Sequence, residues 1–237
     1  MLSSYGTEQI GISAEVAIAD LSHVEISFAY RLRGRNELIE HMKPALENVM
    51  SEIPHPTMHI AEDQNPVDFI LDGSKTLSVK TNMRQAGKIA PQNIGQPTSS
   101  TFWSRLPELV PEGIDISRID YSESVTLFKR VAQSDISILL RRYWENLFDC
   151  DYMIYVCNVL DKQDKLSSGP TVVLYEKSHS PNWESSKITF SKTLETWNES
   201  CTVRYNGVSV GEFQIHNNRD CFKFRFNIAG LITAGLI

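Results

Sequence analysis

The sequence predicts an α/β protein of the α+β kind, with a mixed central β-sheet flanked by helices. Helical spacing of apolar residues dominates the first third and returns near the middle, a short alternating hairpin separates those regions, and the last third reads as antiparallel strands. In order, Ala14, Ala17, Ile18 and Leu21 recur at helical spacing behind Ser13 and predict a helix from Ser13 to Leu21. A second helix runs from about Asn36 to Ile53 and is stopped by Pro54 and Pro56. Two strands, Val67 to Leu71 and Thr76 to Thr81, follow, joined through the turn sequence Asp72-Gly73-Ser74. The stretch Met83 to Pro111, rich in Gln, Asn, Gly, Pro and Ser, reads as a long polar loop. Val125, Phe128, Val131, Ile138, Leu139 and Trp144 predict a long helical region from Ser122 to Phe148, and Tyr152 to Leu160 reads as a buried strand. Cys201 to Tyr205 and Val208 to Ile215 flank Asn206-Gly207, the dipeptide that best suits a two-residue hairpin turn, and Cys221 to Phe226 is a last strand. With no internal repeat and no long linker, one domain over residues 1–237 is expected, its β-rich part spanning about 151–237.

Of the 237 residues, 41% are hydrophobic and 22% charged, which excludes disordered, collagen-like and coiled-coil chains. The longest apolar run, Ile228 to Ile237, is short and broken by Gly230, Thr233 and Gly235, so no membrane partner is expected. The start, Met-Leu-Ser-Ser-Tyr-Gly, lacks the features of a secretory signal, and a cytoplasmic location follows as an expectation. Cys150, Cys157, Cys201 and Cys221 have no metal-binding spacing and read as reduced packing residues. A net charge of −6 argues against coating nucleic acid with the whole surface but leaves room for basic patches and for carboxylates that hold a cation.

The segment that carries chemistry is Pro66 to Asn82. Side chains alternate along a strand, so Ser78 and Lys80 share one side while Leu77 and Val79 take the other, and the hairpin returns Asp68 to their neighbourhood. A carboxylate, a polar side chain and a lysine at the end of two paired strands can hold a hard divalent cation on oxygen and set an ammonium beside it. Phosphodiester hydrolysis uses those parts: the cation polarises the attacking water, and Lys80 orients that water and offsets developing charge.

This pattern resembles the PD-(D/E)xK nucleases, and among them the type II restriction endonucleases. Asp68 matches the first acid of their motif and Lys80 its lysine, while Ser78 stands where the second acid is usual. The segments Gly11 to Asp20, Asn65 to Phe102 and Val208 to Phe226 share the likeness. The resemblance implies catalytic Asp68, Ser78 and Lys80, and a Mg2+ held by Asp68, the Val79 carbonyl and Glu15, the last on a helix like the family's first core helix. It also implies sequence-specific hydrolysis of both strands of duplex DNA to 5′-phosphate and 3′-hydroxyl ends. A homodimer and a cognate DNA methyltransferase as functional counterpart complete that expectation.

For DNA contacts, amide and guanidinium side chains suit base edges, since Arg forks onto guanine and Asn or Gln onto adenine. Asn82, Lys88, Gln92, Asn93 and Gln96 in and before the polar stretch, and His216, Asn217, Asn218 and Arg219 near the C-terminus, are the candidates. Lys223 and Arg225 alternate with Phe222, Phe224 and Phe226, giving a strand with one aromatic and one basic face, the latter suited to phosphates. The Asn217-Asn218 pair is equally the signature of a tight turn, and Tyr30 to Arg35 is a further basic cluster. The rival is a non-catalytic DNA- or protein-binding module with a β-rich recognition face and the hairpin as scaffold.

Overall fold

A computed structural model describes residues 5–63, 65, 67–216 and 218–237. In chain order the elements are α1 (Thr7–Ser22), α2 (Phe28–Arg31), α3 (Asn36–Met50), β1 (Pro56–His59), β2 (Phe69–Leu71), β3 (Lys75–Thr81), β4 (Lys88–Ile89), α4 (Ser99–Arg105), α5 (Tyr121–Ser134), α6 (Ile136–Leu147), β5 (Tyr152–Cys157), β6 (Thr171–Glu176), β7 (Ile188–Phe190), β8 (Ser200–Tyr205), β9 (Val208–His216), β10 (Cys221–Asn227) and α7 (Ile228–Thr233). The α+β class is as the sequence predicts. By its contacts the chain clusters into two compact units, Met1–Gly87 with Phe148–Ser178, and Lys88–Leu147 with His179–Ile237.

The first unit is built on a five-stranded mixed sheet in the order β1-β2-β3-β5-β6. Its centre is β3, paired antiparallel to β2 and parallel to β5. Burial on both faces explains the continuous apolar run of β5, Met153 to Cys157, all buried. The helices α1 and α3 pack together and cover the sheet, α1 over β3 and β1, α3 over β6. Leu38, Ile39, Met42 and Leu46 of α3 join Ala14, Ala17 and Ile18 of α1 and Leu77, Ile154 and Val156 of the sheet in one apolar core. The second predicted helix ends at Met50 rather than Ile53 and carries Pro44 inside it. The β2–β3 turn needs left-handed backbone at Gly73 and Ser74, with φ of 70° and 59°, which is why a glycine stands there.

The second unit holds an antiparallel sheet in the order β4-β10-β9-β8-β7. Asn206 and Gly207 both take positive φ, 50° and 81°, the geometry of a two-residue hairpin turn whose twist matches the strands. One face of β10 is aromatic and meets α5 and α6 side chains: Phe222 stacks on Phe128 at 4.2 Å and Phe224 on Tyr143 at 4.3 Å. The stretch Met83 to Pro111 is not a structureless loop. It contains β4 and α4, and Phe102 and Trp103 of α4 are buried, because two large apolar side chains outweigh the polar composition around them. The helical region from Ser122 to Phe148 is two helices, broken at Asp135. All four cysteines are free and buried.

Candidate active site

Asp68 is fixed by the sheet before its side chain does anything. Its backbone N–H donates to the Leu77 carbonyl at 2.9 Å and its carbonyl accepts from Ile60 N–H at 2.9 Å. Its side chain is buried, and Oδ2 accepts from Val79 N–H at 2.5 Å and from Ser78 Oγ at 3.2 Å. From two residues further along β3, Lys80 Nζ donates to Ser78 Oγ at 2.8 Å and approaches the Val79 carbonyl at 3.5 Å. The Ser78 hydroxyl thus bridges ammonium and carboxylate, and the period of two along β3 is what puts positions 78 and 80 on one side.

Burial drives this pair toward its neutral forms. The Asp68 carboxyl is pushed up to about 6 by loss of water, with the charge of Glu15 adding to the rise, while Lys80, Val79 N–H and Ser78 pull it down. Lys80 is lowered by the same burial against the attraction of Asp68, Cys150 and Glu15. The Cys150 thiol beside them is pushed up to about 11 by burial, so it is protonated near neutral pH.

Glu15 lies on α1 and is buried. Its Oε2 accepts from the Tyr30 hydroxyl at 2.7 Å and sits 2.9 Å from His59 Nε2. Burial and the Glu15 charge push the Tyr30 phenol well upward, so it remains a donor. The His59 ring lies edge-on to Tyr30 and Phe69, with centroids 4.8 and 5.0 Å away, and its Nδ1 is buried without a partner among the described residues. That leaves Nε2 as the nitrogen that donates to Glu15. Sequence reasoning singles out neither Tyr30, noted only for its arginine neighbours, nor His59.

The donor set fits Mg2+, which is commonly held by one or two carboxylates and otherwise keeps its waters. Two carboxylates, Asp68 and Glu15, act on the one lysine, Lys80. No cluster of three His, Cys, Asp or Glu side chains that could hold a metal ion occurs among the described residues.

The remaining candidates fall in different places. Asn82 follows β3 in the first unit and is a brace: its Oδ1 accepts from the Tyr155 hydroxyl, which accepts from Gly87 N–H at 2.9 Å. In the second unit Lys88 on β4 pairs with Glu212 at 2.6 Å. Gln92 is half-buried, Asn93 is exposed with its N–H on Asn146 Oδ1 at 3.0 Å, and Gln96 is exposed with its side chain on Cys221. His216 ends β9, Asn218 and Arg219 are exposed in the turn, and Lys223 lies opposite Gln214 on β10. Asn217 lies outside the described residues. A cavity of about 390 Å³ opens beside this turn, lined by Glu199, Ser200, Gln214, Ile215, His216 and Asn218. In the Tyr30–Arg35 cluster, Arg31 is paired with Asp20 and Arg33 with Glu8, so two of its three arginines are already engaged. Among the described residues no helix is long and apolar enough to cross a membrane.

No family profile and no solved structure matches the chain. One curated protein does, and the matched span runs through the Asp68–Lys80 hairpin wherever in the chain it begins. Over 222 residues, 93% of this chain and 58% of the relative, the sequence is 28% identical to the type II restriction enzyme CviAII of Paramecium bursaria Chlorella virus 1; the chain therefore spans less than two thirds of that relative's length.

Proposed function

We propose that the chain is a type II restriction endonuclease of the PD-(D/E)xK kind, cutting both strands of duplex DNA at a specific sequence with Mg2+. The observation that carries this reading is the meeting of Asp68, Ser78 and Lys80 on one hairpin, with the buried Glu15 charge beside them. The likeness to a type II restriction enzyme over most of the chain supports the same reading. Asp68, Glu15 and the Val79 carbonyl would hold the cation. When bound, Mg2+ supplies Lewis acidity at the scissile phosphate and acidifies water. Lys80, held by Ser78, orients the attacking water and offsets the negative charge that grows on phosphorus-bound oxygen. The water oxygen bonds to phosphorus and releases its proton to solvent as the bond to the 3′ oxygen breaks, and that oxygen takes a proton from solvent, giving 3′-hydroxyl and 5′-phosphate ends.

The first unit carries the chemistry in this reading and the second the readout, through Arg219, Asn217, Asn218 and His216 on bases, with Gln92, Asn93 and Gln96 as further amide contacts and Lys88 and Lys223 on phosphates. Asn82 supports the end of β3. The protein works in the cytoplasm, as a homodimer, against DNA that a cognate methyltransferase leaves unprotected.

The test is a sequenced supercoiled plasmid incubated with wild-type protein and with Lys80→Ala, with and without Mg2+. Discrete fragments from the wild type with Mg2+ alone, and cleavage reduced by about 10²-fold or more in the variant, are expected, the size of loss seen when a transition-state charge contact is removed. A gel shift with no cutting would replace the enzyme by a DNA-binding module, and full activity in Lys80→Ala would remove the assigned site.

A further inference from the structure

Antiparallel partners project to the same face of a sheet. The register therefore puts Lys223 with Gln214 and Arg225 with Glu212 and Thr202 on one face of the second sheet, opposite its phenylalanines. Lys88 joins that face from β4. All six residues are half-buried, and none belongs to the aromatic core.

The charges on this face are organised around one acid. Glu212, its side chain 12% exposed, receives Lys88 Nζ on Oε2 at 2.6 Å and Arg225 Nη2 on Oε1 at 3.0 Å. Burial opposes its charge, but the two cations hold its carboxyl below the usual range, so it is ionised at neutral pH. Arg225 Nε is buried without a partner among the described residues. Lys223 has no acid within ion-pair reach among the described residues, and after burial the strongest pressure on it is Arg225, with Arg219 adding to it. His216, lowered first by burial, is pushed the same way by Lys223, Arg219 and Arg225. Even with Glu212 in place, a positive field persists on this face of a chain whose net charge is −6. Glu199, just before β8, and Asp220, in the turn before β10, are acids on the margin.

We propose that this polar face lies against the sugar–phosphate backbone of duplex DNA, and that Glu212 sets the strength of that contact by occupying Lys88 and Arg225 until phosphates replace it. The inference rests on the reading of the chain as acting on duplex DNA. Charge complementarity selects the occupant: cations alternating with an amide and a hydroxyl match phosphate oxygens, which position a protein without specifying sequence. Exchanging a carboxylate for a phosphate replaces one charge-assisted bond by another, so the exchange itself adds little. What remains is the release of counterions from DNA, in proportion to the net positive charge of the face, and Glu212 subtracts one from it.

The experiment measures binding of the full-length protein to a random-sequence duplex in calcium at several salt concentrations. Glu212→Gln is expected to tighten binding about two- to tenfold and to steepen the log–log salt slope by about one. Lys223→Gln, which breaks no ion pair, is expected to weaken binding and flatten the slope by about one. Thermal melts establish that each variant is folded; if Glu212→Gln does not fold, Lys223→Gln decides. A folded Glu212→Gln that binds no more tightly than wild type, or a Lys223→Gln that binds like wild type, overturns the inference alone. A wild type that binds no duplex overturns the nuclease reading and the inference with it, and tighter binding of a polyglutamate peptide than of the duplex would make the occupant an acidic protein segment.

Discussion

Asp68 must be charged to hold a cation, and its surroundings oppose that charge. With its carboxyl pushed up to about 6 against an ordinary value near 3.8, the folded state favours the protonated form. Such a group contributes stability that is fully present below the unfolded value and is lost as pH rises through the folded one. In the absence of divalent ions, stability should therefore fall between about pH 4 and about pH 6 on account of this group, and a bound cation should restore it only once the carboxylate has formed. Calcium is expected to raise the melting temperature strongly at about pH 7.5 and weakly at about pH 5; equal shifts at both would count against Asp68 as a ligand. Asp68 and Lys80 are legible in sequence because a strand's period of two and a short turn suffice to bring them together. Glu15 is only half legible, since its partners Tyr30 and His59 stand 15 and 44 positions away and no local pattern links them. Tyr30→Phe removes one donor to a buried carboxylate while keeping the ring. It is expected to lower calcium affinity about tenfold, the worth of a hydrogen bond to a charged group, with unchanged secondary structure by circular dichroism. Wild-type affinity by calorimetry would reduce Tyr30 to a packing residue.

At the scale of elements, the hairpins are the readable parts. Asp72-Gly73-Ser74 and Asn206-Gly207 each demand backbone angles that few residues adopt, so their turns announce themselves. What stays hidden is structure whose evidence is tertiary. The short edge strands β1 and β7 carry partly exposed side chains, so their burial pattern has no clear alternation to read. In α4, Phe102 and Trp103 sit among hydroxyl residues, and only the packing of Phe102 against Phe128 and Phe222 and the Trp103 indole bond to Ser124 Oγ reveal a core helix. Gly211 in β9 is a related case, because a glycine inside a strand marks a close approach. A methyl group there would stand 2.6 Å from Phe224 Cζ and 3.2 Å from the Arg225 carbonyl. Phe224 cannot retreat freely, being stacked on Tyr143 at 4.3 Å. Gly211→Ala should therefore destabilise the protein by about 1–3 kcal/mol, the cost of overpacking a filled core, read as a lower urea midpoint. An unchanged midpoint would mean that the aromatic cluster yields at no cost.

For the whole molecule, the sequence predicts the α+β class because helix-period and strand-period stretches occupy different parts of the chain, and the two sheets match that segregation. Division into two units is not legible, since each is assembled from separate stretches and no linker marks the junctions. Each chain presents a single Asp68–Lys80 hairpin, and one such centre can attack one strand at a time. On the proposed reading, cutting both strands of a symmetric site in one encounter would call for a second centre related by a two-fold axis, which an isologous dimer would supply. Light scattering of the protein with duplex in calcium is expected to give twice the chain's 26.9 kDa plus the mass of the DNA. Plasmid cleavage should then pass from supercoiled to linear with little nicked circle, because both cuts occur before the complex dissociates. A single-chain mass together with a nicked circle that accumulates and later linearises would show a monomer that cuts one strand per visit.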